Sequence, residues 1–229
     1  YERGRQAFGL ASPAAWLRET GAVVKCVDVT RQTFPEAFAE TADLVAWYLP
    51  MHTATRLAVP LIQKVKALNS RAHLCCYGLY ASLNTDYLTG LGVKTVLGGE
   101  FESDLVSLVV HLKDGKESKL PQTTGTQLSR LDFRVPDRAG LPALSRYASL
   151  RTSDGLRRVV GYTEASRGCK HLCRHCPVVP VYQGRFRIVS PQVVLADIRN
   201  QVEAGARHIT FGDPDFFNGI RHAMSVVEG

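Results

Sequence analysis

Hydrophobic and polar positions in the first half of the chain alternate between short apolar runs and longer segments with helical spacing. Four apolar runs have the length and composition of strands: 22–29, 43–49, 72–77 and 94–97. Between them, apolar residues recur every three to four positions over 53–68 and 101–112, which predicts helices. Ser12-Pro13 predicts a further helix start, with Ser12 as the N-cap. The alternation indicates an α/β fold, a parallel sheet with helices on both faces.

The pattern changes at position 114 and becomes regular again at 159. The segment 114–158 is rich in polar residues, Gly and Pro, which is typical of a connector. The rest predicts a strand, a cysteine-rich loop, a helix beginning at Ser190-Pro191, a strand at 208–212 and a last helix from Ile220. We therefore expect a Rossmann-like domain at 1–113, a linker at 114–158 and the start of a TIM-like barrel at 159–229. A complete barrel takes about 250 residues, so the first strand of the sheet and the rest of the barrel are expected outside this sequence.

Charge and hydropathy narrow the class of protein. Formal net charge is +7, but the basic residues form no run, and no RNA-binding module is recognisable, so a nucleic-acid partner is not favoured. No apolar stretch has the roughly 20 residues of a membrane helix, and the first ten residues have no apolar signal core. We expect a cytoplasmic protein without a membrane partner, in which thiols stay reduced.

Three of the six cysteines fall within "GCKHLCRHCP", as Cys169, Cys173 and Cys176. Three thiolates this close together favour a shared metal, and thiolates select zinc, Cu(I) or iron–sulfur clusters. In a zinc site His171 or His175 would supply the fourth ligand. In a cubane cluster one iron would stay open for a cosubstrate. The position after a strand, where barrels hold catalytic groups, favours the cluster, as does the absence of a second cysteine pair nearby.

The stretch "SRGCKHLCRHCP" resembles the signature of the radical S-adenosylmethionine (radical SAM) enzymes. The resemblance implies that Cys169, Cys173 and Cys176 ligate a [4Fe–4S] cluster and that S-adenosylmethionine binds the fourth iron. Reductive cleavage of this cosubstrate would give a 5′-deoxyadenosyl radical, so a flavodoxin- or ferredoxin-like electron donor is implied too. His175 stands where the family usually has an aromatic residue near the adenine. "FGDPDFF" stands in place of a glycine–glycine–acid motif, which makes Asp213, with Asp215 behind it, the candidate for the methionine amino group.

Two arginines are also candidates for this site. Arg167 and Arg187 are expected to neutralise cluster sulfides or the carboxylate of S-adenosylmethionine, with surface solvation as the alternative. Helix capping is the alternative for both aspartates.

A parallel sheet before such a barrel is similar to the cobalamin-binding subgroup of the family. "GGEFESDLVSLV" resembles the last sheet loop and helix of that subgroup, which makes Gly98, Gly99 and Glu100 the candidate contacts for a cobalamin tail. The cobalt-binding motif D-x-H-x-x-G is absent, and His52 follows a different strand, so any cobalamin is expected without that lower ligand. As a whole the chain is similar to radical SAM proteins named for a CUAEP or CCAEP tail.

Three functions therefore stay open. The first is a radical SAM enzyme on an unknown substrate, with cobalamin-assisted methyl transfer or rearrangement as reaction types. The second is an RNA-modifying radical SAM enzyme, to which the positive charge points. The third is a non-enzymatic binding module stabilised by zinc.

Overall fold

The structure is a computed structural model that describes residues 4–115 and 125–229. Its α-helices in chain order are α1 Phe8–Glu19, α2 Glu36–Ala39, α3 His52–Leu68, α4 Leu79–Leu83, α5 Thr85–Gly90, α6 Glu102–Lys113, α7 Val178–Tyr182, α8 Pro191–Glu203 and α9 Ile220–Glu228. Its strands are β1 Leu44–Tyr48, β2 His73–Tyr77, β3 Thr95–Gly99, β4 Gly125–Gln127, β5 Ser149–Arg151, β6 Arg157–Thr163, β7 Ser166–Gly168, β8 Phe186–Ile188 and β9 His208–Phe211. Two short 3₁₀ helices occupy Leu144–Arg146 and Phe216–Gly219.

The first sheet is parallel throughout, with the strand order β1-β2-β3-β4. Successive residues of the fully buried strand β2 point to opposite faces, as strand geometry requires. Leu74 and Cys76 pack with the core side of α3, and Cys75 and Tyr77 pack with α6. The predicted parallel sheet with helices on both faces is therefore confirmed.

Two local predictions in the first half are wrong. The segment 22–29 forms no strand, and its polar groups bind the connector instead: Asp28 accepts a hydrogen bond from the Tyr147 hydroxyl at 2.9 Å. Helix α1 begins at Phe8, so Ser12 lies inside the helix, where its hydroxyl caps nothing and donates to Glu102 at 2.6 Å. On α3, Ile62 and Val65 are fully buried, whereas Leu57 is half-exposed.

The segment expected to be a linker adds one strand to the first sheet and one strand to a second sheet, of order β5-β6-β9. β4 extends the first sheet next to β3, and β5 pairs antiparallel with β6. Phe133 and Tyr147, between these strands, are buried. The linker therefore packs the two halves together as well as joining them.

The second half is a strand–helix–strand unit. β6 and β9 are parallel neighbours joined through α8, which Ser190 caps by accepting a hydrogen bond from the Val193 amide, as predicted. β7 and β8 form a small antiparallel pair between β6 and α8, and the cysteines lie in the connection between them. None of the helices in the described ranges is long and apolar enough to cross a membrane.

Candidate metal centre

The cysteine loop belongs to the connection between the paired strands β7 and β8. Gly168, the last residue of β7, has φ +69°, and a Cβ atom there would lie 2.2 Å from the Arg185 carbonyl oxygen and 2.5 Å from the Tyr182 ring. Only glycine fits this backbone shape and spacing without strain. Gly168 therefore closes the base of the loop immediately before the first cysteine.

The three cysteines of the loop differ in exposure. Cys173 is exposed, whereas Cys169 and Cys176 are partly buried and contact a cluster made of Leu79, Leu128, Val178, Val181 and Tyr182. The Cys176 amide donates to the Cys173 carbonyl at 3.2 Å, which turns the chain back toward α7. The His171 amide donates to the Cys169 sulfur at 3.4 Å, a contact of the kind that tunes iron–sulfur centres.

These observations fit the chemistry of an iron–sulfur cluster. The donor set is three free thiols on one loop, the ligand type that such clusters require. An apolar wall on one side limits solvent access and thereby influences the reduction potential of a bound cluster. The residues present therefore suit the group that the sequence motif implies.

The remaining three cysteines lie outside this loop. Cys26, Cys75 and Cys76 are buried. Burial raises the pKa of the Cys76 thiol to about 12 and that of Cys75 well above its ordinary value. Because metals bind the thiolate, these three cysteines are poor ligands at neutral pH.

The acidic loop after β9 lies against the cysteine loop. The Lys170 amide donates to the Asn218 side-chain oxygen at 2.6 Å, and the Lys170 ammonium donates to the Asn218 carbonyl at 2.6 Å. His171 Nε2 lies 3.3 Å from a carboxylate oxygen of Asp215. Lys170 and Asn218 were not predicted as site residues, because their contacts join two loops that are far apart in sequence.

Asp213 and Asp215 both have structural partners. Asp213 accepts hydrogen bonds from the Ala165 amide at 3.1 Å and from the Ser166 hydroxyl. Burial raises its pKa, although these hydrogen bonds act in the opposite direction. Asp215 caps the following 3₁₀ helix by accepting from the Phe217 amide at 3.0 Å. Asp215 also accepts from the Asn218 side-chain amide. A carboxylate can accept about four hydrogen bonds, so the two hydrogen bonds that each aspartate accepts leave capacity for a ligand.

One group of metal-type ligand atoms lies close together in the described ranges. Atoms of Cys169, His171 and Asp215 are all within 4.8 Å of one another. Sulfur, nitrogen and oxygen donors together are typical of zinc. The zinc alternative therefore has three candidate ligands that lie together, Cys169, His171 and Asp215. Asp215 takes the place of Cys173 and Cys176 in this set. His175, the other expected zinc ligand, is exposed.

The candidate cobalamin contacts are buried against the chain itself. A Cβ atom on Gly98 would lie 2.6 Å from the Ser82 Cβ, and one on Gly99 would lie 2.2 Å from the Gln127 carbonyl oxygen. These glycines thus let α4 and β4 approach β3. Glu100 is fully buried in an ion pair with Arg167. At this edge of the sheet, Met51 and His52 after β1 are exposed, as are Ser129 and Arg130 after β4.

The two arginines of the prediction lie in other environments than expected. Arg167 is 7% exposed, and its guanidinium binds Glu102 and Glu100 with shortest N–O distances of 2.6 and 3.2 Å. Arg187 donates to the backbone carbonyl of Leu128. Arg167 is therefore not available to a cluster sulfide, and surface solvation is wrong for it as well.

Glu164 is the third carboxylate beside Arg167. Its Oε2 lies 3.4 Å from Arg167 Nε, and burial raises the pKa of Glu164 to about 7 against the lowering effect of Arg167. Neither Glu164 nor Glu102 was predicted as a site residue, because no local pattern shows that they meet Arg167.

Comparison with solved structures shows where this fold occurs. The radical S-adenosylmethionine methyltransferase TsrM from Kitasatospora setae, with tryptophan substrate and a SAM analog bound, is 18% identical with a TM-score of 0.78, over 97% of this chain and 47% of that chain. The same enzyme with cobalamin and a [4Fe-4S] cluster bound is 15% identical with a TM-score of 0.72, over 98% of this chain and 48% of that chain. The predicted fold class is confirmed, and the chain spans about half the length of these structures.

The sequence comparisons give one shorter match. A tRNA-2-methylthio-N(6)-dimethylallyladenosine synthase from Desulfitobacterium hafniense (strain Y51) is 40% identical over 53 residues, which are 23% of this chain and 12% of that protein. No family model matches the chain. The fold and this local match together support the resemblance to radical SAM proteins with a cobalamin-type domain.

Proposed function

We propose that this chain is part of a radical SAM enzyme in which Cys169, Cys173 and Cys176 hold a [4Fe–4S] cluster. The observation that carries the proposal is the placement of three free thiols on one loop at the carboxyl end of β6, in a fold shared with TsrM. A bound cluster would supply the electron that cleaves S-adenosylmethionine to a 5′-deoxyadenosyl radical.

The chain's own residues position and shield this site. Leu79, Leu128 and Val181 form the apolar wall that excludes water beside Cys169 and Cys176. Asp213 holds the Ala165–Ser166 turn in place through its two hydrogen bonds. Its remaining acceptor capacity, with that of Asp215, makes these aspartates the proposed contacts for the amino group of S-adenosylmethionine. The exposed ring of His175 is proposed to lie along the adenine.

The parallel sheet is proposed as the cobalamin-binding part of the enzyme. Its support is the shared fold with TsrM, one structure of which holds cobalamin. Since Glu100 is fully buried, the exposed edge at Met51 and His52 is the more open approach for a corrinoid, with Gly98 and Gly99 as backbone contacts only. Methyl transfer is the reaction type this arrangement supports best, on a substrate still to be found, with a small redox protein as electron donor.

The test is deoxyadenosine release by the protein after anaerobic reconstitution with iron and sulfide. We expect a brown protein that releases 5′-deoxyadenosine from S-adenosylmethionine once reduced, and a visible spectrum with corrinoid bands when cobalamin is added. The Cys173→Ala variant should lose the release and Cys75→Ala should keep it. A colourless protein with one tightly held zinc and no release would contradict the proposal and favour a zinc module at Cys169, His171 and Asp215.

An RNA substrate is the second candidate function. It is favoured by the local match to a tRNA-modifying enzyme and by the net charge of +7. Phosphate contacts make affinity fall steeply with salt. Binding of transfer RNA at low salt that weakens as salt is raised would support this candidate, and absence of binding at low salt would remove it.

A further inference from the structure

A buried ion network joins the first sheet to the stem of the cysteine loop. Arg167 lies two residues before Cys169 and forms a two-pronged pair with Glu102, from Nη1 to Oε2 at 2.8 Å and from Nη2 to Oε1 at 2.6 Å. Its Nη1 also donates to Glu100 Oε2 at 3.2 Å. Glu102 opens α6, and Glu100 directly follows β3. The contacts therefore fix the loop's stem to one turn of the sheet domain.

The surroundings of the guanidinium hold it in a single orientation. Its central carbon lies 5.2 Å from the ring centre of Phe101 and 4.9 Å from that of Phe133. The Ser12 hydroxyl, from α1, donates to Glu102 Oε1 at 2.6 Å. Stacking between rings and a two-pronged carboxylate pair both depend on the planar guanidinium, which lysine cannot reproduce.

The far end of the cysteine loop reaches the same turn. Tyr182, the last residue of α7, is buried and directs its hydroxyl to the Gly99 carbonyl oxygen at 3.4 Å. The turn 99–102 therefore holds the loop at both ends, through Arg167 before the cysteines and through Tyr182 after them.

Buried ion pairs of this kind contribute more to geometry than to stability. Removing charges from water costs several kcal/mol per ion, so a buried pair adds little net stability unless its geometry is excellent. Here the partners lie 65 and 67 residues apart in sequence, and no local structure would otherwise bring them together. Such a contact can fix the position of the cysteine loop relative to the first sheet.

We propose that Arg167 is a positioning residue that holds Cys169, Cys173 and Cys176 in their ligating arrangement by anchoring the loop to Glu100 and Glu102. This inference rests on the proposed function, because it assigns the loop's geometry to cluster binding. It makes the sheet domain a structural requirement for the metal centre, even when the sheet carries no ligand.

The test is the labelling rate of each cysteine by N-ethylmaleimide in the metal-free protein, read by mass spectrometry. In the Arg167→Gln variant we expect Cys169 and Cys176 to react about tenfold faster, as local opening becomes easier, while Cys75 and Cys76 stay unchanged. Equal acceleration of all cysteines would indicate general loosening and overturn the proposal. So would unchanged rates at Cys169 and Cys176 in the folded variant.

Arg138 offers a matched control. It is 13% exposed and makes a similar two-pronged pair with Asp197, at 3.0 and 2.8 Å, on the α8 side of β6. Arg138→Gln should leave the labelling of Cys169 and Cys176 at the wild-type rate. If it accelerates them as much as Arg167→Gln does, any lost buried pair has this effect, and the specific anchor is contradicted.

Two further variants keep the test decisive. Arg167→Lys keeps the charge but not the planar fork, so full wild-type behaviour would contradict the proposal. Glu100→Gln removes the negative charge at the longer contact and keeps the Glu102 pair, so it should fold and give a smaller acceleration than loss of the whole anchor. If Arg167→Gln does not fold, wild-type labelling rates in Glu100→Gln would overturn the proposal. Labelling needs no iron, so a wild-type protein that binds no iron would overturn the proposed function but leave the labelling result readable.

Discussion

The chain carries two dense groups of cysteines with opposite properties. Cys75 and Cys76 are adjacent in β2 and fully buried, whereas Cys169, Cys173 and Cys176 lie on a loop and reach solvent to different degrees. Neighbouring residues of a strand point to opposite faces, so Cys75 and Cys76 cannot serve one metal. The comparison teaches that thiol density alone does not make a metal site; the proposed site differs in the spacing of its cysteines and in the loop that carries them.

The cysteine loop requires a glycine at position 168, whereas the strand that carries Cys75 and Cys76 requires none. Substitution of Gly168 is therefore expected to have the largest effect on stability. Gly168→Ala would force a left-handed φ on alanine and place its Cβ 2.2 Å from the Arg185 carbonyl oxygen. We expect a loss of about 3 kcal/mol in unfolding free energy, measured by denaturant titration, and loss of iron binding. Gly155→Ala, at φ +82° with open space around it, should cost only about 1 kcal/mol. Equal costs would show that the close packing at Gly168 is unimportant.

The two cysteine regions should also respond to different ranges of pH. Glu164, at the loop's stem, has a folded pKa of about 7 against an ordinary value of 4.5. The folded state therefore binds more protons than the unfolded state between these values, and stability falls as pH rises through this window. Glu164→Gln should remove most of this fall, which amounts to about 3 kcal/mol in unfolding free energy across the window, since each unit of pKa difference corresponds to about 1.4 kcal/mol. An unchanged slope would mean that Glu164 does not titrate in the folded protein.

In β2 the corresponding window lies at alkaline pH. The pKa of Cys76 is raised from 9.0 to about 12, so its contribution to stability is present below pH 9 and is lost as pH rises toward 12. Unfolding titrations of Cys76→Ala should therefore match the wild-type slope between pH 5 and 8, where only the Glu164 variant differs.

The smallest expected changes in stability come from serine substitutions that compare a buried cysteine with a loop cysteine. Cys75→Ser places a hydroxyl in the buried core, which we expect to cost about 1 kcal/mol in unfolding free energy while iron binding is kept. Cys173→Ser, at an exposed position, should change stability by less than about 0.5 kcal/mol and abolish iron binding. Denaturant titration of the metal-free variants, beside their iron contents after reconstitution, checks both. A Cys75→Ser protein that binds no iron would contradict the distinction between the buried cysteines and the loop cysteines.

The sequence was informative wherever the cause of a structure is local. The apolar runs of β1, β2 and β3, the Ser190 cap and the cysteine spacing each depend on a few neighbouring residues, and the structure contains all of them. The strand predicted at 22–29 failed because pairing needs a partner, which the apolar run alone does not show. Ser12 has the composition of a cap, but a contact with Glu102, 90 residues away, determines its role.

The same reasoning explains what was missed around the site. Arg167 was expected to face the cluster because it is close to Cys169 in sequence. Its actual partners lie in the first sheet domain, and no periodicity or motif links them. The proposed ligands could be read from their spacing, whereas the proposed positioning residues depend on how the two halves pack.

The most direct test of the account is the metal content of two matched variants, Cys173→Ala and Cys75→Ala, after anaerobic reconstitution with iron and sulfide. The account predicts about four irons for the wild type, the same for Cys75→Ala, and a loss of the cluster in Cys173→Ala without a change in fold. Equal iron contents in the two variants, or one zinc and no iron in the wild type, would contradict it.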